Sequence, residues 1–413
     1  MTDPQRATSI FDCSLTAILR CCCAVIFGTA IFAHAQTLTV LHTFTGGADG
    51  YEPFAGVTLD QQGRIYGTTY GGGSHGGGVV YRLVRGGEGW VLSPIYSFGS
   101  QDHDGNTPYS RVIFGPGGLL YGTTVYGGAE NYGTVFSLQP PAAACKASLC
   151  PWVETVLHSF AGGADGTYPQ FGDLIFDQAG NIYGTTSGGG SSGDGVVFKL
   201  TRSGSGWTES VIWDFTGGND GGGIFGGVIF DSAGNLYGTT SFDGSHGYGT
   251  VFELSRTQSG WSETTLYSFT GEYGSGSGGL IMDAHGNLFG ITGLLGGDIS
   301  ATYELTPQNG SWAFTLLQNF GDEYIAAVAA PTFDSQGSLY GSLPTTGGDL
   351  NGGEIFKLTP SGNQWVYSSF YTFDGSSSGT PLGAVTFDAS GNMYGTGLDG
   401  GSDFDGTVWE ITP

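Results

Sequence analysis

Aspartate-glycine pairs are the first residues in this chain whose type and spacing could do chemistry. They recur as Asp49-Gly50, Asp104-Gly105, Asp165-Gly166 and Asp220-Gly221, with an offset Asp374-Gly375 further on. Carboxylates brought to one mouth of a ring could bind a sugar or a cation, so Asp49, Asp104, Asp165 and Asp220 are candidate ligand-binding residues. Two denser runs, Asp102-His103-Asp104-Gly105-Asn106 and Asp403-Phe404-Asp405-Gly406, add paired acids. Ca²⁺ is a hard ion that wants several oxygens, which makes Asp102, Asp104, Asp403 and Asp405 candidate calcium ligands. Neither run matches the complete calcium-binding loop. The competing reading is conformational: Asp accepts backbone hydrogen bonds at a turn and Gly supplies positive φ.

Catalytic signatures are weaker. A glycosidase needs two carboxylates roughly 5–10 Å apart, and no pair stands out from the repeat. The turn Ser203-Gly-Ser-Gly-Trp207 is similar to the sialidase Asp-box but lacks its aspartate. Gly274-Ser-Gly-Ser-Gly278 has the letters of a nucleophile elbow inside a Gly/Ser-rich loop. The Gly-rich loops precede no helix and carry no following Lys, so they are not phosphate cradles. No catalytic residue is assigned. His75 and His246 share a loop slot in units that are not neighbours, which argues against a shared metal. His42 and His158 share a slot that elsewhere holds Tyr96, Trp213, Tyr267 or Tyr371, and it reads as packing.

These residues must be positioned by β-structure. The 413 residues include 79 Gly, with 14% aromatic and 11% charged. So much glycine excludes a helical bundle, at roughly 1 kcal/mol per residue. The aromatics exclude a disordered linker, and no G-X-Y period supports collagen. With 11 basic against 36 acidic residues and a net charge of −25, nucleic acid and anionic membranes are disfavoured as partners. The acidity reads first as solubility.

An aromatic-Gly pair repeats seven times: Tyr66-Gly67, Tyr121-Gly122, Tyr183-Gly184, Tyr237-Gly238, Phe289-Gly290, Tyr340-Gly341 and Tyr394-Gly395. Each unit reads as four short strands, rich in β-branched and aromatic residues and bounded by turn residues. Asp-x-x-Gly joins strands one and two, at Asp60, Asp177, Asp231, Asp283, Asp334 and Asp388. Strand four carries a Trp and, eight positions on, a Phe, from Trp90/Phe98 to Trp365/Phe373. There are six such pairs for seven units, and the seventh unit stops after its third strand. Leu38 to Phe44 supplies the missing fourth strand. The expected fold is all-β, a seven-bladed β-propeller of four-stranded blades, closed by the N-terminal strand completing the last blade. In such a blade the two-to-three loops and the four-to-one connections emerge on one face of the ring.

Residues 1–35 read as a signal peptide. Arg6 and Arg20 precede the apolar stretch Cys21 to Ala33, which is too short to span a bilayer, and Ala33-His34-Ala35 forms a small-x-small cleavage site. The propeller domain is then 36–413. Cys13, Cys21, Cys22 and Cys23 leave with the leader, and Cys145 and Cys150 are expected to form a disulfide. A secreted, extracellular protein is expected, with the periplasm or cell surface as alternatives.

The unit resembles the GloVer tandem repeat of a "choice-of-anchor" family of exported bacterial proteins. The matches are Gly180-Asn-Ile-Tyr-Gly-Thr-Thr186, Gly234-Asn-Leu-Tyr-Gly-Thr-Thr240 and Gly249-Thr-Val-Phe-Glu-Leu254, and all seven units fit. The resemblance implies an extracellular or surface-attached protein and carries over no activity. The chain ends at Pro413 without an apolar helix or basic tail, so release rather than anchoring is expected. The functional expectation is a monomeric, non-enzymatic binding module for a glycan or surface protein, with no cofactor except Ca²⁺. A polysaccharide-active lyase or hydrolase and a structural spacer are the alternatives. The Gly/Asp-rich loop face is where binding or catalysis would sit.

Overall fold

Seven meandering antiparallel sheets, each of four strands, carry the chain. The structure is a computed structural model, and it describes residues 36–141, 152–276, 278–293, 299–321, 329–344, 352–362 and 364–413. The predicted signal peptide and both Cys145 and Cys150 lie outside the described residues. The fourth blade shows the pattern: Ile229–Phe230, Leu236–Thr239, Thr250–Thr257 and Gly260–Ser268 pair in sequence order. Described helical structure is limited to two short 3₁₀ turns, Pro116–Gly118 and Gly163–Asp165. Among the described residues no helix is long and apolar enough to cross a membrane.

The seventh blade is assembled from both parts of the chain. Thr37–Thr43 pairs antiparallel with Thr407–Thr412, from Thr37 opposite Thr412 to Thr43 opposite Thr407. Phe44 N–H extends the ladder to the Gly406 carbonyl at 2.9 Å. The closure expected from the sequence is therefore present, and residues 37–412 form one unit. Side chains also join blade seven to blade one: Thr386 Oγ1 donates to the Val57 carbonyl at 2.7 Å and Thr396 Oγ1 to the Ala55 carbonyl at 2.8 Å.

The repeat motif has a packing explanation. Second strands are buried along their whole length, and each hydrophobic layer lies between two blades. Leu41, Phe44, Tyr394 and Val408 of blade seven pack with Val57, Ile65, Val79 and Tyr81 of blade one. The glycine after the anchor aromatic is required by the strand-three aromatic that lies across it. A Cβ on Gly184 would sit 2.5 Å from Phe198 Cζ. The first Thr after that glycine ties blades together, as where Thr185 Oγ1 donates to the Gly226 carbonyl of the next blade at 2.9 Å. Overpacking of a dense core costs typically 1–3 kcal/mol. Gly184→Ala is therefore expected to lower stability by about that amount, read as a shifted urea midpoint with unchanged slope.

The Asp-x-x-Gly turns work as the sequence implies. Asp177 Oδ1 accepts from the backbone N–H of Ala179 at 3.0 Å and of Asn181 at 2.9 Å. Its Oδ2 accepts from the Tyr183 hydroxyl at 3.2 Å, so the turn aspartate also satisfies the anchor tyrosine.

Candidate functional site

Four-to-one connections and two-to-three loops of the same blade pair with each other, which places both on one face. Tyr51 bridges to Gly71, Thr167 to Gly188 and Gly222 to Phe242. In blade two, Gly105–Asn106 forms a two-stranded ladder with Tyr126–Gly127.

The candidate ligand-binding aspartates occupy these connections, one in each of four, and each is engaged within its own connection. Asp49 accepts from Thr45 Oγ1 at 2.6 Å and Thr45 N–H at 3.1 Å. Asp104 accepts from Ser100 N–H at 3.0 Å, Asp165 from Ala161 N–H at 2.6 Å and Asp220 from Thr216 N–H at 3.1 Å. The glycines that follow them fit against the second Thr of the anchor motif. A Cβ on Gly105 would lie 2.6 Å from Thr124 Cγ2, and one on Gly166 2.6 Å from Thr186 Oγ1.

The aromatic slot of strand four belongs to the same device. His42 Nε2 lies 3.1 Å from Asp49, the Tyr96 hydroxyl 3.1 Å from Asp104 and His158 Nε2 3.0 Å from Asp165. The rings also pack edge-on, His42 against Phe44 at 4.9 Å and His158 against Phe160 at 4.8 Å. Packing is thus half of the slot's role, and the other half is a polar clasp to the Asp-Gly aspartate. Burial lowers the pKa of His42, opposed by the Asp49 carboxylate.

The two acidic runs lie in different places: Asp102 to Asn106 in the connection from blade one to blade two, and Asp403 to Gly406 in the two-to-three loop of blade seven. Asp102 and Asp104 line a crevice of about 230 Å³ with Tyr96, His103, Glu154 and Ser159. Asp403 accepts from Ser402 Oγ at 2.9 Å, and the Asp405 carbonyl accepts from Glu52 N–H at 2.8 Å. Among the described residues, no three His, Cys, Asp or Glu side chains gather as a metal centre.

Glu154 in that crevice begins a series. It follows Trp152 by two positions, as Glu209 follows Trp207 and Glu263 follows Trp261. Burial and the Asp104 charge push the Glu154 carboxyl up to about 7. Burial and Asp165 push Glu209 up to about 7, with His158 opposing. Burial raises Glu263 too, with Asp220 adding to it and the Thr265 hydrogen bond opposing. The Oε1 atoms of Glu154 and Glu209 are buried without a hydrogen-bond partner.

The most site-like feature lies on the ring axis. A cavity of about 330 Å³ is lined by the inner strands. One slot, two residues before each innermost strand, holds Gly56, Arg111, Asp173, Gly227, Gly279, Ala330 and Ala384. It is small everywhere except at two adjacent blades, and these two carry opposite charges. Arg111 Nε donates to Asp173 Oδ2 at 2.8 Å, Nη2 donates to the same oxygen, and Nη1 reaches Thr386 Oγ1 at 3.4 Å. The side chains are 27% and 28% exposed and both line the cavity. Asp173 raises the pKa of Arg111, and burial opposes this.

Two residues earlier in the same segments stands an aromatic arc. Successive ring centroids are 4.4 Å apart for Phe54–Tyr109, 4.7 Å for Tyr109–Phe171 and 6.2 Å for Phe171–Phe225. Tyr70 closes on Phe54 and Tyr109 at 5.6 and 5.3 Å. Phe242, exposed on the loop face, extends the arc 5.9 Å beyond Phe225. The equivalent positions in the remaining units are Ser277, Val328 and Leu382, so the arc belongs to blades one to four. Sequence reasoning missed Phe54, Tyr109, Arg111, Phe171, Asp173 and Phe225. The signal was present in the repeat: aligning the units slot by slot isolates them as departures from a small or aliphatic consensus.

Comparison with known proteins supports the fold. A proposed 6-phosphogluconolactonase from Bacteroides uniformis is similar at 15% identity, over 77% of this chain and 84% of that one, with a TM-score of 0.50. A second, from Bacteroides fragilis, is similar at 14% identity over 78% and 84%, also at 0.50. Likeness at such identities speaks for the fold alone. No curated protein matches the chain. The profile of the Gloeobacter/Verrucomicrobia repeat matches twice, at residues 25–172 and 151–301, which together take in more than half of the 413 residues. With the motif repeated on every blade and the profile matched in tandem, the chain belongs to the Gloeobacter/Verrucomicrobia repeat family.

Proposed function

We propose that this protein is a non-enzymatic binding propeller that takes a glycan at the aromatic mouth of its axial cavity. One observation carries the reading: the closely packed rings of Phe54, Tyr109 and Phe171, tilted or edge-on to one another, line the same cavity as the Arg111–Asp173 pair. Small-molecule sites are mostly apolar with a few converging polar groups. A sugar ring offers an apolar C–H face to an aromatic ring and hydroxyls to a guanidinium or carboxylate, whose charge-assisted hydrogen bonds are the stronger kind. Export of residues 36–413 as a monomer fits this reading, and its check is an N-terminus at Gln36 in the secreted protein.

The test is calorimetric titration of residues 36–413 with maltohexaose, cellohexaose, xylohexaose and mannohexaose. At least one should bind, and Phe54→Ala or Phe171→Ala should weaken it about tenfold, roughly 1.4 kcal/mol. Failure of the whole panel, or full affinity in both variants, would remove the reading.

A hydrolase is the second reading, and the crevice beside Asp104 favours it. Glycoside hydrolysis pairs one protonated carboxyl with one carboxylate. Glu154 keeps its proton to about pH 7, while Asp104 accepts from Tyr96 and Ser100. This reading requires new reducing ends from a polysaccharide panel, abolished by Glu154→Gln. Calcium at Asp102 and Asp104 is a further proposal for this crevice, checked by a chelator-reversible rise in melting temperature.

A further inference from the structure

The shape of the axial cavity decides which part of a glycan can enter, an inference that rests on the glycan reading above. The segments leading into the inner strands pack backbone against backbone. A Cβ on Gly227 would lie 2.9 Å from the Asp173 carbonyl oxygen, and one on Gly226 2.9 Å from the Gly278 carbonyl oxygen. A Cβ on Gly56 would collide with the Ala384 carbonyl, at the seam where the ring closes. No space is left there for a chain to pass sideways between these blades. A ligand reaches this cavity along the axis.

Along that axis the lining is ordered by the run of each segment from the loop face into its innermost strand. The aromatic arc of Phe54, Tyr109 and Phe171 comes first. Arg111 and Asp173 lie two residues deeper, and Thr332 and Thr386 deeper again. Arg111 lies across the channel as a chord. It springs from blade two, is gripped by Asp173 of blade three, and reaches Thr386 of blade seven. Arg111 grips Asp173 through its own backbone as well, and the Thr386 anchor is held by blade one. Asp173 Oδ1 accepts from Arg111 N–H at 3.3 Å, and Thr386 Oγ1 donates to the Val57 carbonyl at 2.7 Å. The cavity of about 330 Å³ is at the small end of the roughly 300–1,000 Å³ usual for ligand sites.

We propose that Arg111 makes this a reader of chain ends: one terminal sugar ring enters the cavity as far as the Arg111–Asp173 pair, and the following units lie along the aromatic arc. Internal stretches of a polymer are refused, because the chord stops a chain from threading the ring. The guanidinium keeps N–H groups beyond those spent on Asp173 and Thr386, since it carries five. A vicinal diol can accept from these and donate to Asp173. The ion pair is neutral as a whole, so the favoured terminus is a neutral sugar, and a uronate terminus would meet Asp173.

The experiment measures stoichiometry on the unmodified protein. The four neutral hexasaccharides, longer oligomers of each sugar and the parent polymers are titrated by calorimetry. For any sugar that binds, the expected result is one protein per chain at every length, with affinity level once the oligomer covers the arc. Methylating the hydroxyls of the terminal rings at both ends should abolish binding. Arg111→Lys, which keeps the charge but loses the fork, should weaken oligomer binding about tenfold. Several proteins per polymer chain, or unchanged binding of end-methylated oligomers, would overturn end recognition while leaving glycan binding standing. Absence of binding to every sugar would instead remove the glycan reading beneath it.

Discussion

Raising the pH from about 5 to about 8 weakens the fold, and the loss traces to Glu154 and Glu209 at the seams between blades. In the folded chain both carboxyls titrate near 7, against an ordinary value of 4.5. Between those values the folded state holds protons that the unfolded chain has released, so stability falls with rising pH across that window and levels off above it. A fully buried carboxyl would lose about 1.36 kcal/mol for each pH step of one within the window. Both groups are partly solvated, which screens their charges, so about 1–2 kcal/mol for the pair is a fair expectation. Other groups act in the opposite sense. Hydrogen bonds to the Asp177 carboxylate outweigh burial and hold its pKa low, so its contribution is lost only as pH falls through that lowered value. Maximum stability is therefore expected under mildly acidic conditions. Urea midpoints at the two pH values should differ for the wild type and converge for Glu154→Gln/Glu209→Gln. Equal pH slopes in the two proteins would show that the seams are not responsible.

Deleting residues 37–44 should abolish cooperative folding. The segment pairs along the length of Thr407–Thr412, and without it that strand becomes an open edge inviting aggregation. It also removes Phe44, fully buried against Tyr81 at 5.2 Å, and Leu41. Loss of a buried Phe costs about 3–5 kcal/mol and of a Leu about 2–5. Together these approach the whole stability of an ordinary domain, about 5–15 kcal/mol. Phe44→Ala alone should fold with its stability lowered by about 3 kcal/mol or more. A cooperative, wild-type-like transition in the deleted chain would mean that the ring does not depend on this closure.

The architecture could be read from the chain because each blade solves the same packing problem. An aromatic must lie over a glycine, and a threonine must reach the next blade, so Tyr-Gly-Thr-Thr recurs with its spacing intact. The closure was legible for the same reason: a strand-four pattern stood alone at residues 38–44 where a unit was incomplete. The candidate site was harder to read. Arg111 and Asp173 are ordinary residues in sequence, 62 positions apart, and become a pair only because adjacent blades place the same slot side by side. The Asp-Gly pairs carried two readings in the sequence, a ligand site and a turn, and the structure shows the turn contacts. Asp49 and Asp165 accept from backbone N–H groups and meet His42 and His158, partners that a list of Asp-Gly pairs does not reveal.

The claim at the centre of this account is that the axial mouth is the binding surface. Hydrogen–deuterium exchange of residues 36–413, with and without the hexasaccharide that binds most tightly, tests it most directly. The account predicts added protection at residues 51–56, 107–111, 168–173 and 222–228, which carry the arc and the Arg111–Asp173 pair, with the outer strands unchanged. Protection centred on the opposite face, at the Asp60, Asp177 and Asp231 turns, or on the outer strands Gly206–Asp214 and Gly260–Ser268, would contradict it.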